Sequence, residues 1–199
     1  AGDVTYTAVY SINQYVMTFK LGNGEDDVVK TQDYGTVLEA PTPEREGYTF
    51  TGWDESVPET VPAEDKTFTA QWQVNQYTVK FVADGTEVYS QSQDYGSEIV
   101  VPEAPEKEGY TFTGWTPEVA QTVPAGDVTY TAVYAINLYT VTFSLGNGEE
   151  DVMRTQDYNT ALEAPTPVRE GYTFTGWDAE VPTTVPAGDR TFTAQWQIN

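Results

Sequence analysis

The phrase Gly-Tyr-Thr-Phe-Thr-Gly-Trp occurs three times, at Gly47–Trp53, Gly109–Trp115 and Gly171–Trp177, with a spacing of 62 residues. A second phrase keeps the same step: Thr67–Trp72, Thr129–Tyr134 and Thr191–Trp196. Self-similarity at a fixed period is the signature of a repeat array. It overrides the length prior of one or two domains for a 199-residue chain. Counting back from Asn199, which aligns with Asn137, Asn75 and Asn13, gives repeat 1 at 14–75, repeat 2 at 76–137 and repeat 3 at 138–199. Residues 1–13 are left over. Ala1–Tyr10 reads the same as Ala125–Tyr134, so this segment is expected to be the terminal strand of a preceding repeat, and the chain a piece of a longer array. A frame shifted to 1–62 is the alternative. Repeats 1 and 3 are nearly the same sequence and repeat 2 differs from both, an A-B-A order that limits pairing between wrong repeats.

A domain this small buries little surface and has thin stability. Its aromatic content of 14% compensates, since each buried ring removes about 150–250 Å² from water. There is no Cys, hence no disulfide or thiolate metal site, and no His, which removes the usual general base and a common metal ligand. The formal charge of −22 is spread over all three repeats. It disfavours nucleic acid and anionic membrane as partners. No apolar run approaches membrane-spanning length, and no sorting signal is visible.

Within one repeat, Tyr15, Met17 and Phe19 alternate with Val16 and Thr18, the period of a half-buried strand. Gly22-Asn23-Gly24 in repeat 1 and Asp84-Gly85 in repeat 2 supply the positive φ angles of a tight hairpin. A second strand is expected near Val28–Tyr34 and Val88–Tyr95. Pro41 and Pro43 exclude a central strand in the next segment, and one helical turn is expected after Pro43, capped by Gly47. Tyr48–Thr51 reads as a third strand. After a second Pro-containing loop through Pro58 and Pro62, the fourth turns Phe68, Ala70 and Trp72 inward. Only Gln73-Val74-Asn75-Gln76 separate Trp72 from Tyr77, without the Gly and Ser of a flexible linker, so the join between repeats should be short and stiff.

Tyr77-Thr78-Val79-Lys80-Phe81, Gln93-Asp94-Tyr95-Gly96, Gly109–Trp115, Val123-Pro124-Ala125-Gly126-Asp127 and Thr129-Tyr130-Thr131-Ala132, in that order, resemble the Listeria–Bacteroides repeat. The resemblance covers nearly the whole chain and implies a β-grasp-like domain of bacterial surface proteins, with no catalytic residues to carry over. The expected fold class is a β-dominated α+β array: three small β-grasp-like domains in an elongated rod. In each, the first and last strands should be parallel neighbours at the sheet centre.

The aromatic phrase has two readings, a sugar-stacking platform or core. Core is favoured, with Tyr48 and Phe50 inward and Trp53, Trp115 and Trp177 closing each domain. The loop Gly22-Asn23-Gly24-Glu25-Asp26-Asp27, kept as Gly146-Asn147-Gly148-Glu149-Glu150-Asp151, invites a calcium reading because hard cations take clustered oxygens. Repeat 2 keeps only Asp84 and Glu87, and no ligand spacing is present, so a solvated hairpin is favoured. A Lys–Asn or Lys–Asp cross-link shared by all repeats is excluded, because Lys20, Lys30 and Lys66 become Ser144, Arg154 and Arg190 in repeat 3. Abundant carboxylates without a cleft signal support no glycosidase reading. The expectation is therefore a non-enzymatic stalk at the bacterial cell surface, without catalytic, cofactor or metal residues. Its partners would be neighbouring repeats of the same chain, and the chain itself a monomer. The rival is an adhesive module binding host protein or glycan through many weak contacts.

Overall fold

The computed structural model describes residues 2–199; Ala1, the first residue of the leading segment, lies outside the described residues. Twelve strands run in chain order: β1 Gln14–Lys20, β2 Val28–Asp33, β3 Tyr48–Trp53, β4 Lys66–Val74, β5 Gln76–Ala83, β6 Thr86–Asp94, β7 Tyr110–Thr116, β8 Val128–Ile136, β9 Leu138–Ser144, β10 Val152–Asp157, β11 Tyr172–Trp177 and β12 Arg190–Ile198. They form three four-stranded sheets of one topology, ordered β2-β1-β4-β3, β6-β5-β8-β7 and β10-β9-β12-β11. By contact density the chain divides into two compact units. One comprises Ala1–Val79, Gln91–Ile99 and Ala120–Val128; the other comprises Lys80–Ser90, Val100–Val119 and Thr129–Asn199.

In the first unit, β1 pairs with β2 antiparallel, Gln14 opposite Asp33 and Phe19 opposite Val28. It pairs with β4 parallel, Met17 opposite Lys66 and Lys20 opposite Thr69. The first and last strands of the repeat are thus central, parallel neighbours. A parallel pair needs a long crossover, and the two connections of the repeat supply it. They lay Leu38 and Val61 over one face of the sheet, where both join Met17, Phe19, Leu21 and Phe68 in the buried core. Val61 N–H donates to Thr36 O and Leu38 N–H to Glu59 O, tying the two connections together. In the second unit the same core recurs as Val141, Phe143, Leu145, Leu162, Val185 and Phe192. Repeat 2 buries Val79, Phe81, Ala83, Ile99, Val123 and Tyr130 at the equivalent positions.

The α component expected of the fold is missing: among the described residues there is no helix. Ala40 and Thr42 each precede a proline and are pushed out of the helical region. Only three residues then separate Pro43 from Gly47, and Tyr48 N–H already closes a tight turn onto Arg45 O at 3.1 Å. The hairpin of repeat 2 forms as expected, with Asp84 and Gly85 at φ 47° and 78° between β5 and β6. Residues 2–12 carry no strand, and Val4, Tyr6, Val9, Tyr10 and Ile12 are exposed.

Trp53, Trp115 and Trp177 are half-buried against their cores, not fully inside them. The third strand is an edge strand, so its rings cover the core from one side. A register shift between Phe50 and Gly52 makes this possible. In a regular strand Phe50 and Trp53 would face opposite ways; the bulge turns both to one face. Trp53 then lies edge-on to Phe19 at 5.0 Å and to Phe50 at 5.4 Å. Phe50 and Trp72 are also only half-buried, so the inward row of β4 closes fully only at Phe68 and Ala70.

Aspartates pin the connections to the sheet. The loop residues Asp65, Asp127 and Asp189 accept from the backbone N–H of Val16, Thr78 and Thr140 at 2.7–2.8 Å. Asp54 accepts from Thr69 N–H at 2.7 Å, while its own N–H donates to Thr69 O at 2.9 Å. The hydrogen bond from the Thr69 backbone holds the Asp54 carboxyl below its ordinary value. Repeat 2 has Thr116 at this position.

Phe19 is fully buried, stacked on Phe68 at 5.2 Å and touching Trp53. Phe19→Ala is expected to cost about 3–5 kcal/mol, which is most of the stability of so small a domain. Urea denaturation should show repeat 1 lost first, with the signal of repeat 3 kept. The Asp54 contact carries a pH dependence. A carboxyl whose folded pKa lies below the unfolded one adds stability that is complete above the unfolded value and is lost as pH falls through the folded one. Acidification through the carboxylate range should lower the melting temperature of repeat 1, and Asp54→Asn should flatten that dependence.

Candidate functional site

The structural feature that recurs wherever one repeat meets the next is a joint built on a single asparagine. β4 ends at Val74 and β5 begins at Gln76, so Asn75 alone separates them. Its N–H donates to Gly47 O at 2.9 Å in the repeat behind, and its carbonyl accepts from Tyr95 N–H at 2.8 Å in the repeat ahead. Its side chain works both ways too: Oδ1 accepts from Thr49 Oγ1 at 2.6 Å and Nδ2 donates to Tyr77 OH at 3.4 Å. Asn137 repeats every contact. It donates to Gly109 O, its carbonyl accepts from Tyr158 N–H, and its side chain bonds Thr111 and Tyr139.

An aromatic knob seats beside this polar hinge. The Tyr95 ring lies against Gly47, so closely that a Cβ there would overlap the ring. It meets Tyr48 edge-on at 5.9 Å and Tyr77 at 6.5 Å. Tyr158 does the same against Gly109, Tyr110 and Tyr139. Gly47 has φ +75° and Gly109 +77°, backbone conformations that side chains rarely adopt. Glycine is required there twice over, by conformation and by the ring. The guanidinium of Arg45 lies over the Tyr48 ring at 3.8 Å, and Lys107 stands over Tyr110 at 4.6 Å.

Every residue of the repeated phrase now has a place. Gly47 is the seat and Tyr48 its wall. Thr49 grips Asn75, and Thr51 Oγ1 donates to Gln71 O at 3.1 Å. Phe50 packs on Trp72 at 5.6 Å, Gly52 forms the bulge, and Trp53 covers Phe19. The joint contacts of Gly47, Tyr48 and Thr49 are invisible to strand periodicity. The recurrence of Gln-Asp-Tyr one repeat on was the available signal.

The rings also line a shallow groove. In repeat 1 it is formed by Pro43, Arg45, Tyr48, Phe50 and Trp72, and in repeat 2 by Pro105, Lys107, Tyr110, Phe112 and Tyr134. The polar atom of one large ring in each groove is used internally. Trp72 Nε1 donates to Leu21 O at 2.9 Å, and Tyr134 OH to Pro105 O at 2.7 Å.

The acidic hairpin is organised by its asparagine. Asn23 Oδ1 accepts from Glu25 N–H at 3.1 Å, and its Nδ2 donates to Glu25 Oε2 and Glu44 O. Asn147 does the same with Glu149 and Val168 O. Asp26 and Asp27 are exposed. In repeat 2 the two acids of the hairpin meet lysines, Asp84 with Lys107 at 2.7 Å and Glu87 with Lys80 at 2.9 Å. The hydrogen bond that Lys107 donates to the Asp84 carboxylate raises the Lys107 pKa. Among the described residues no group of three or more His, Cys, Asp or Glu side chains is placed to hold a metal. Lys30 donates to the Glu39 carbonyl and Lys66 meets Glu64. Among the described residues no helix is long and apolar enough to cross a membrane.

The profile of the Listeria-Bacteroides repeat domain matches residues 15–74, 77–135 and 139–195. The chain belongs to the Listeria–Bacteroides repeat family. A protein of Evansella cellulosilytica described as a putative Gly-rich membrane protein is 33% identical over 98% of the chain and 26% of its own length. A second from that organism, described as a putative membrane protein, is 32% identical over 98% of the chain and 34% of its own. Internalin H of Listeria monocytogenes is 33% identical over 66% of the chain and 25% of its own. The chain therefore spans about a quarter to a third of these relatives.

The joint makes a testable distinction between two equivalent glycines. Gly47→Ala meets both the positive φ and the Tyr95 ring, whereas Gly171→Ala, at φ +77° with nothing within 4 Å, meets the backbone strain alone. That strain costs about 1–2 kcal/mol for a residue with a Cβ. Denaturant melts should show Gly47→Ala the more damaging of the two, with the excess reporting the contact between repeats 1 and 2.

Proposed function

We propose that the chain is a non-catalytic stalk or spacer in a bacterial cell-surface protein, projecting another domain away from the cell. The observation that carries this reading is the parallel pairing of β1 with β4 joined to the Asn75 hinge. In a β-grasp-like sheet with parallel first and last strands, the chain enters and leaves at opposite ends of the domain. A one-residue join with backbone bonds to both neighbours passes that direction on to the next domain, and an extended array follows. The extracellular location rests on the family and on the internalin and membrane-protein names of the relatives. High negative charge would keep such stalks soluble and mutually repulsive.

Small-angle scattering tests the shape. A compact chain of 199 residues has a radius of gyration of about 16 Å. The stalk should give roughly twice that figure, and a value near the compact limit would overturn the reading. The topology adds a mechanical expectation. Pulling a repeat by its ends shears β1 against β4, so their hydrogen bonds must break together, and single-molecule extension should show one high-force event per repeat.

A second reading, adhesion to host protein or glycan, draws on the groove of Tyr48, Phe50 and Trp72, which leaves rings partly exposed in more than one repeat. The internal use of the Trp72 and Tyr134 polar atoms favours the structural reading. Phe112→Ala separates the two. If the groove serves the fold, the variant loses stability and no glycan-array signal exists to lose. A wild-type glycan signal abolished in a variant of unchanged stability would establish adhesion.

A further inference from the structure

The acidic hairpins of repeats 1 and 3 each turn on an asparagine followed by glycine. Of the asparagines in the chain, only Asn23 and Asn147 precede a glycine. Gly24 and Gly148 are exposed, at φ +93° and +90°, and nothing lies within 4 Å of where a Cβ would stand. Among the described residues no acceptor meets their N–H groups. The asparagine side chain folds back over that nitrogen. Glu25 N–H donates to Asn23 Oδ1 at 3.1 Å, and Glu149 N–H to Asn147 Oδ1 at 3.0 Å. Each bond closes a ring that contains both the glycine nitrogen and the asparagine Cγ. It holds the two near each other and draws electrons from the amide carbonyl. The same amide is a structural tie. Asn23 Nδ2 donates to Glu44 O at 2.9 Å and Asn147 Nδ2 to Val168 O at 3.0 Å, fastening the hairpin to the first proline-containing connection. Repeat 2 makes this tie with other chemistry: its turn carries an acid, Asp84, and the connection answers with Lys107 at 2.7 Å.

We propose that Asn23 and Asn147 are sites of spontaneous deamidation, and that the reaction releases the hairpins of repeats 1 and 3 from their connections. Gly24 N adds to Asn23 Cγ, the Cγ–Nδ2 bond breaks, and Nδ2 leaves as ammonia with the proton of Gly24 N. Water then opens the cyclic imide. Attack at Cγ gives aspartate. Attack at the backbone carbonyl carbon gives isoaspartate, with the main chain rerouted through the side chain. The net exchange is water for ammonia, with no oxidant or cofactor. The product has lost the donor that held Glu44 O. A carboxylate stands in its place, facing that carbonyl and the Glu25 carboxylate, to which Nδ2 had donated at 3.1 Å. Both repel it. Repeats 1 and 3 have no lysine where repeat 2 has Lys107. Arg45 and Arg169 stand there, over the rings of Tyr48 and Tyr172. Repeat 2 has no asparagine in its hairpin and keeps its tie.

Peptide mapping by mass spectrometry of the full chain, aged at mildly alkaline pH, tests the proposal. Asn23 and Asn147 should each gain the mass of an amide-to-acid change, split between aspartate and isoaspartate, while Asn13, Asn75, Asn137 and Asn159 stay unchanged. The rate should rise with pH, because the attacking nitrogen must lose its proton. The chain unfolded in guanidinium is the reference, in which both Asn-Gly pairs must convert. Asn23→Asp reproduces the product with the main chain intact. It should lower the urea midpoint of repeat 1, and adding Arg45→Lys, which copies the pairing of Asp84 with Lys107, should recover part of the loss. A folded chain that keeps both amides while the unfolded chain loses them would overturn the proposal, as would an Asn23→Asp chain as stable as the wild type. Neither result bears on the scattering test of the stalk reading.

Discussion

The parallel pairing of the first and last strands is the constraint from which the rest of each domain follows. Two parallel strands side by side cannot be joined by a hairpin, so the intervening chain must cross one face of the sheet and come back. In many small folds a helix makes that crossing. Here two proline-containing loops make it, and they bring only a few apolar side chains, Leu38 and Val61 chief among them. The core is therefore thin, and the aromatic residues are pressed into covering it. Phe19 and Phe68 stack at the centre, Trp53 closes one side, and Phe50 with Trp72 continues the ring contacts out to the edge. The half-exposure of the outer rings is a consequence of a loop cover too small for the sheet.

The same pairing decides what happens at the joints. β4 runs on past its pairing with β1, which ends at Lys20 opposite Thr69, stays paired with β3 up to Val74 opposite Tyr48, and passes into β5 with a single residue between them. A one-residue link leaves no room for an independent interface. What forms instead is a shared set of bonds on Asn75 and one ring contact, Tyr95 on Gly47. The glycine that opens each third strand thus serves a neighbour as well as its own turn, which ties the local sequence of one repeat to the Gln-Asp-Tyr of the next.

Much of this was legible in the sequence. The period located the repeats, alternation placed Met17, Phe19 and Phe68 inside, and Asp84-Gly85 marked its turn. The first and last strands lie side by side and parallel, as expected, in repeats 1 and 3. The helix expected after Pro43 has no room to form: three residues separate Pro43 from Gly47, and the turn from Tyr48 N–H to Arg45 O takes them up. Trp53 packs on the core as expected, but from one side only, because the strand that carries it is an edge strand, which alternation does not reveal. The joint itself was half visible. The absence of a linker could be read, but the seat at Gly47 depends on a contact with Tyr95, 48 residues away in the chain, and no local rule joins those two residues.

An array built this way has nearest-neighbour energetics, a sum of domain terms and joint terms. Each joint is small: a few hydrogen bonds on one asparagine and one tyrosine on a glycine. Each domain term is also small, since some six buried side chains form each core. A repeat therefore draws part of its stability from its neighbours. Repeat 2 has a joint on each side and lacks the Asp54 tie of repeat 1, with Thr116 in its place. Separating two near-identical repeats with a divergent third lowers the chance of exchange between them.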